Sequence, residues 1–159
     1  MLTRWFILGL LLIPAASISM PATNSIATAN NSNMALNINT YQWKNRLLLI
    51  FAPSKDNPDY QRQMQLVEGK LADFKERDLI AIELLAEGTS QAEMQTLNEA
   101  EAASLRSEFN VAPEEFRVIL IGKDGTAKRR DEKPVAPEVI FNQIDAMPMR
   151  RQEMRDSQR

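Results

Sequence analysis

"RLLLIFAPSKDNPDYQRQM", residues 46–64, passes from an oily run through a short polar loop into a helical pattern. The consecutive apolar residues 47–51, bounded by Pro53, suit a strand covered on both faces, as in parallel sheets. Asn57 followed by Pro58 supplies an N-cap and a first-turn proline. Tyr60, Met64, Val67, Leu71 and Phe74 then recur at steps of four and three, which predicts one amphipathic helix. A second apolar run, residues 79–85, follows the charged stretch 75–78. A strand–helix–strand connection of this length is a right-handed parallel crossover.

Further along, residues 87–102 are polar and helix-friendly in their later half, leading into Ala103, Leu105 and Phe109. A third apolar run, residues 116–121, meets "GKDG" at 122–125. Asp124 and Gly125 tolerate left-handed backbone angles, which predicts a hairpin turn with the charged residues 128–133 as an edge strand. Val139, Ile140, Gln143, Ile144 and Met147 mark a closing helix that starts near Pro137. Two parallel crossovers, an antiparallel hairpin and a final helix make the thioredoxin arrangement. The expected fold is therefore an α/β, thioredoxin-like three-layer sandwich, with a central mixed sheet of about four strands and helices on both faces. The loop after its first strand is where redox folds of this kind keep a working cysteine.

The chain has 159 residues, 44% hydrophobic and 25% charged, enough apolar mass for one core. Its start is different in kind. Arg4 precedes the apolar run 5–13, then Pro14 and the small residues Ala15, Ala16, Ser17 and Ser19, the order of a secretory signal peptide. The run is shorter than the roughly 20 apolar residues needed to span a bilayer, and an uncleaved anchor is the alternative reading. Residues 20–40, rich in Asn, Ser, Ala and Thr, lack the apolar period needed to offset ordering entropy. The expected division is a signal peptide (1–19), a flexible leader (20–40), a thioredoxin-like domain (41–148) and a charged C-terminal tail (149–159). Export to the periplasm or the extracellular space follows, with no membrane span after cleavage. The absence of cysteine removes a lipid anchor and any disulfide, so the core alone must hold the fold. Losing Arg4 with the signal leaves 18 basic against 21 acidic residues, a poor balance for binding nucleic acid.

The chain contains neither histidine nor cysteine. Ser-His-Asp hydrolysis, Cys-His chemistry, zinc and iron–sulfur sites and histidine-ligated haem all lack their reacting group or ligand. Ser54 stands beside Lys55, but adjacent side chains rarely aim at one another and no Ser-x-x-Lys spacing occurs. Asp56 or Asn57 reads instead as a cap on the next helix. Asp56, Asn57 and Asp59 are interrupted by Pro58 and lack the twelve-residue calcium loop with its central glycine. "GKDGT" at 122–126 lacks the Gly-Lys-Ser/Thr ending of a phosphate loop. No cofactor and no metal is expected. Lys123, Lys128, Arg129, Arg130 and Lys133 suit a protected sheet edge, with an anionic polysaccharide surface as the alternative. In "IDAMPMRRQEM" (144–154), Arg150, Arg151 and Arg155 complement a helix dipole, and with Met147, Met149 and Met154 they also suit a docking surface.

Trp43, "NRLLLIFAPS" (45–54), "ERDL" (76–79), "VILIGKDG" (118–125) and "IDAMPMRRQEM" together resemble a thioredoxin-like family of unknown function, the DUDES-type domain. It occurs in exported bacterial proteins and in animal extracellular proteins, including sushi-repeat-containing ones. The resemblance spans about residues 41–154 and implies a fold near the peroxiredoxins, with an oxidoreductase role by analogy. That chemistry needs a thiolate, which this chain cannot form. The proline that usually precedes the third strand is also missing, with Glu115, Phe116 and Arg117 in its place. The expectation is an exported, non-catalytic binding domain. Its candidate surface is Trp43, Ser54, Lys55, Asp56, Lys123, Asp124, Arg150 and Arg151, and its expected partner an envelope protein or a glycan. The alternatives are a peroxiredoxin-like oxidoreductase served by a partner thiol or cofactor, a carboxylate-dependent hydrolase, and an adhesive or envelope-structural module.

Overall fold

The computed structural model describes residues 37–93 and 95–159. The expected signal peptide and most of the expected leader lie outside them. The first described residues form a single 3-10 turn, Ile38–Tyr41, capped by Asn37.

Strand β1 (Arg46–Ala52) is buried at every position, as its unbroken apolar run requires. It pairs in parallel with β2 (Leu79–Leu85) on one side and antiparallel with β5 (Arg117–Ile121) on the other. Leu48, Ile50 and Ala52 face a core built with α1 (Pro58–Val67), α2 (Leu71–Glu76) and α4 (Pro137–Asp145). Leu47, Leu49 and Phe51 point the other way, toward α3 (Glu99–Glu108). The result is a sheet between two helical layers, as expected for an α/β chain of this pattern. Edge strand β6 (Ala127–Asp131) follows a hairpin turn with Gly125 at φ +79°, and α4 starts at Pro137, both where the sequence pattern puts them.

Three expectations need correction. The sheet has six strands among the described residues, in the order β4-β3-β2-β1-β5-β6, not about four. The added hairpin, β3 (Ser90–Ala92) and β4 (Gln95–Leu97), lies in the stretch read as merely polar. Its strands are three residues long and bury only Ser90, Ala92 and Leu97, too few for a visible apolar alternation. Second, the connection from β2 by way of α3 delivers β5 antiparallel to β1, so only one crossover is parallel. Third, the single predicted helix breaks at Gly69, which sits at φ +74°, and becomes α1 and α2. Leu71, assigned to the apolar stripe, is 82% exposed, whereas Gln63 is fully buried. Gln63 earns that position by bridging to Val135: Oε1 accepts the Val135 N–H at 2.8 Å and Nε2 donates to its carbonyl at 3.2 Å.

The segment read as a charged tail contains most of a further helix, α5 (Pro148–Asp156). No described helix is long and apolar enough to cross a membrane.

Candidate functional site

The residues singled out from sequence lie at opposite ends of β1, a seven-residue strand about 20 Å long. Ser54, Lys55 and Asp56 follow its C-terminal end. Trp43, Lys123, Asp124, Arg150 and Arg151 belong to its N-terminal end. The structure does not bring the two groups together.

At the C-terminal end, the loop is built as a helix cap. Asn57 Oδ1 accepts the Tyr60 N–H at 3.0 Å, and the Asn57 N–H donates to the Ser54 carbonyl at 3.3 Å. Among the described residues, the Ser54 hydroxyl has no hydrogen-bonded base. Beneath the loop lies a residue that sequence reasoning missed. Arg106, buried on α3, donates to the carbonyls of Ala52, of Leu84 (2.8 Å) and of Ala112 (3.0 Å), and its guanidinium lies 5.6 Å from the Phe51 ring centroid. Burial lowers its pKa from the ordinary value, opposed by the nearby charges of Glu114 and Glu115. It ties the ends of β1 and β2 together, a structural task rather than a catalytic one.

The N-terminal end is a connected cluster of charges. Arg46, only 1% exposed at the head of β1, grips Glu153 of α5 through Nη2–Oε1 (3.1 Å) and Nη1–Oε2 (3.2 Å), and donates to the Arg77 carbonyl at 2.8 Å. Lys123, in the turn after β5, reaches both Glu153 and Asp78 at 2.8 Å. Arg150, read as a surface cation, is 6% exposed. It donates to Glu76 Oε1 (2.7 Å), the Glu76 carbonyl (2.8 Å) and Asp145 (3.2 Å). Arg77 completes the circuit with Asp145 at 2.8 Å and lies 4.6 Å from the Phe141 ring centroid. Arg151 is exposed. Every segment that carries the family resemblance contributes to this end: Trp43 and Arg46, Glu76 to Asp78, Lys123 and Asp124, Asp145, Arg150 and Glu153. Arg46, Glu76, Arg77, Asp78, Asp145 and Glu153 were not singled out from sequence, although the quoted stretches contain them.

Trp43 presents itself beside this cluster. Its backbone N–H donates to the Lys123 carbonyl at 2.6 Å, and Gln42 Nε2 donates to the Asp124 carbonyl at 3.0 Å, so the entry turn is tied to the β5–β6 turn. Trp43 occupies φ +65°, a region that disfavours bulky residues, yet the residue is 64% exposed. A cavity of about 390 Å³ opens nearby, lined by Arg46, Lys123, Lys128, Met147, Pro148 and Met149 among others. Asp124 is held below its usual pKa by its hydrogen bond from Lys128, against a raising effect of burial, with the Thr126 N–H and hydroxyl adding to the lowering.

For Glu153 and Asp145, burial raises the pKa, but the opposing bonds win and both are lowered. Arg46 and Lys123 act on Glu153, Arg77 and Arg150 on Asp145. A carboxyl whose folded pKa is depressed stabilises the fold above its unfolded value and loses that contribution as pH falls through the folded one. The expected result is a urea midpoint that holds from neutrality down toward the ordinary carboxyl values of 4.5 and 3.8 and falls below them. Circular dichroism across a pH series measures it; a midpoint that stays flat through that range would contradict the ion cluster.

Residues 37–153 match the family model described as "Domain of unknown function (DUF4174)". The chain belongs to the DUF4174 family. Coiled-coil domain-containing protein 80 of Danio rerio is 26% identical over 133 residues, covering 74% of this chain and 15% of that protein. Sushi repeat-containing protein SRPX2 of Homo sapiens is 30% identical over 116 residues, covering 70% of this chain and 24% of the relative. Sushi repeat-containing protein SRPX of Rattus norvegicus is 25% identical over 149 residues, covering 87% and 32%. This DUF4174 chain thus spans a third or less of these relatives. Among solved structures, the reduced 2-Cys peroxiredoxin of Plasmodium vivax superposes with a TM-score of 0.56 at 15% identity, covering 74% of this chain and 85% of that one. The likeness shows a thioredoxin-like fold, similar to that of the peroxiredoxin, and nothing of its chemistry.

Proposed function

We propose that this DUF4174 domain acts by recognition rather than covalent catalysis, on the exported side of a membrane, and engages an envelope protein or a glycan through the end of the sheet marked by Trp43. The observation that carries the reading is the redox position itself: the loop after β1 holds a capped helix start, in a chain with no cysteine or histidine to react. Exposed Trp43, Met149 and Arg151 beside the ion cluster supply the aromatic, thioether and guanidinium groups typical of binding surfaces. Export rests on the pattern around Arg4 and residues 5–19, and sequencing the N-terminus of the mature protein tests it. A peroxiredoxin-like activity served by partner thiols is the competing reading; hydroperoxide turnover by the purified chain with dithiothreitol supplied would favour it over ours.

The surface has a direct test. Trp43→Gly removes an exposed indole and places glycine at a positive φ, so it is expected to leave stability unchanged or raise it by about 1 kcal/mol. Capture of partners from an envelope extract is expected to fall at least tenfold, and Arg151→Ala to weaken it less. Unchanged capture by Trp43→Gly would remove this surface from the proposal. Arg150 is unsuitable for such a test, since it is itself buried and ties α5 to Glu76 and Asp145, so its loss would disturb the fold.

A further inference from the structure

We propose that the groove between α1 and β2 receives the charged end of a lysine or arginine side chain from a partner polypeptide, seated on Glu83. Glu83 is the one charged residue of β2, an interior strand, and it alternates with Leu79, Ala81 and Leu85, so it points toward the α1 face of the sheet. A carboxylate on an interior strand is costly unless something holds it. Here the Tyr60 hydroxyl donates to Glu83 Oε2 at 2.5 Å, while no described protein donor reaches Oε1. Burial first, and then the bond to Glu83, push the Tyr60 hydroxyl well above its ordinary pKa, so it remains a donor across the working range. One oxygen is fixed and the other is left for a guest.

The surroundings specify the guest. The groove, about 640 Å³, is lined by Tyr60, Gln61, Met64, Gln65, Val67, Glu68 and Glu83. Two of these are acidic and none is basic, so the groove complements a cation. Among the described residues no group of three or more acidic side chains is arranged to hold a metal ion. Half-buried Met64 and Val67 instead offer an apolar wall to an alkyl stem, which is how lysine and arginine bury their methylenes while presenting charge. The hairpin keeps the groove open. Gln91 of β3 pairs with Glu83 and is exposed, so Glu83 marks the line where helical cover of this face ends.

The test is an amide-resonance titration of the full chain with three probes: a blocked alanine heptapeptide with one central lysine, the same peptide with norleucine in its place, and free cadaverine. The lysine peptide is expected to shift residues 60–68 and 82–84 saturably and to bind at least tenfold tighter than the norleucine peptide. Glu83→Gln is expected to weaken the lysine peptide at least fivefold; if that variant fails to fold, Glu68→Gln at the exposed rim should weaken it two- to threefold. Equal binding of lysine and norleucine peptides, shifts centred elsewhere, no saturable shift, or indifference to these substitutions would each overturn the proposal. Cadaverine binding as tightly as the lysine peptide would also overturn it, by making a free diamine the ligand. Because the groove shares no residue with the Trp43 end, its failure would leave that reading untouched.

Discussion

Glu153→Ala is expected to destabilise the domain by about 3 kcal/mol, because it leaves Arg46 charged, buried and without its carboxylate. It also takes one partner from Lys123 and loosens α5 from the sheet. Arg46→Met should cost less, since Glu153 would keep Lys123 and its longer contact with Arg150. The double substitution Arg46→Met with Glu153→Leu should recover most of the loss, as apolar replacement of a buried pair often does. Urea denaturation at neutral pH measures all three. A change below about 0.5 kcal/mol for Glu153→Ala, the size of an ordinary exposed pair, would show that the cluster is a surface feature with no hold on the fold.

The second large effect is expected at the other end of the sheet. Arg106→Ala removes a buried donor from the carbonyls of Ala52, Leu84 and Ala112 and opens a space beside Phe51. The lost charged hydrogen bonds and lost packing together should cost about 3 kcal/mol. Arg106→Lys should recover little, since a single ammonium cannot reproduce a planar fork reaching several carbonyls. Amide exchange offers a local reading: the Ala86 and Glu87 N–H groups, bonded to the Ala52 and Pro53 carbonyls, should exchange faster in both variants. Protection unchanged at those amides would mean that Arg106 does not hold the loop.

The central architecture was legible because it rests on long, unambiguous signals. Residues 47–51 form a run that only a doubly covered strand can bury, Asn57–Pro58 caps α1 as its chemistry requires, and Gly125 turns the hairpin at the expected place. What escaped depended on partners distant in sequence. The spacing of Leu71 continues the apolar stripe, but the break at Gly69 turns Leu71 outward, and Gln63 is buried because Val135 satisfies its amide. Hairpin β3–β4 has too little apolar content to announce itself, though Ser90 anchors it by accepting the Leu85 N–H at 2.9 Å.

The candidate surface was readable only in part, for the same reason. Composition and spacing identify Arg46 and Arg150 as cations, but they do not say that Glu153 and Glu76 lie opposite them, 107 and 74 positions away. Trp43 was legible as a distinctive residue, and its positive φ and exposure emerge only from the fold. The loop at Ser54 was read as the counterpart of a redox loop; it follows β1, and its groups supply a cap to α1.

The contact between Arg46 and Glu153 also brings the domain's entrance and exit to one pole, since the first strand begins there and the last helix is clamped beside it. A module whose two connections emerge side by side can be spliced into a longer polypeptide as a cassette, with little strain on either neighbour. That suits a unit which, in relatives several times its length, occupies a minor share of the whole.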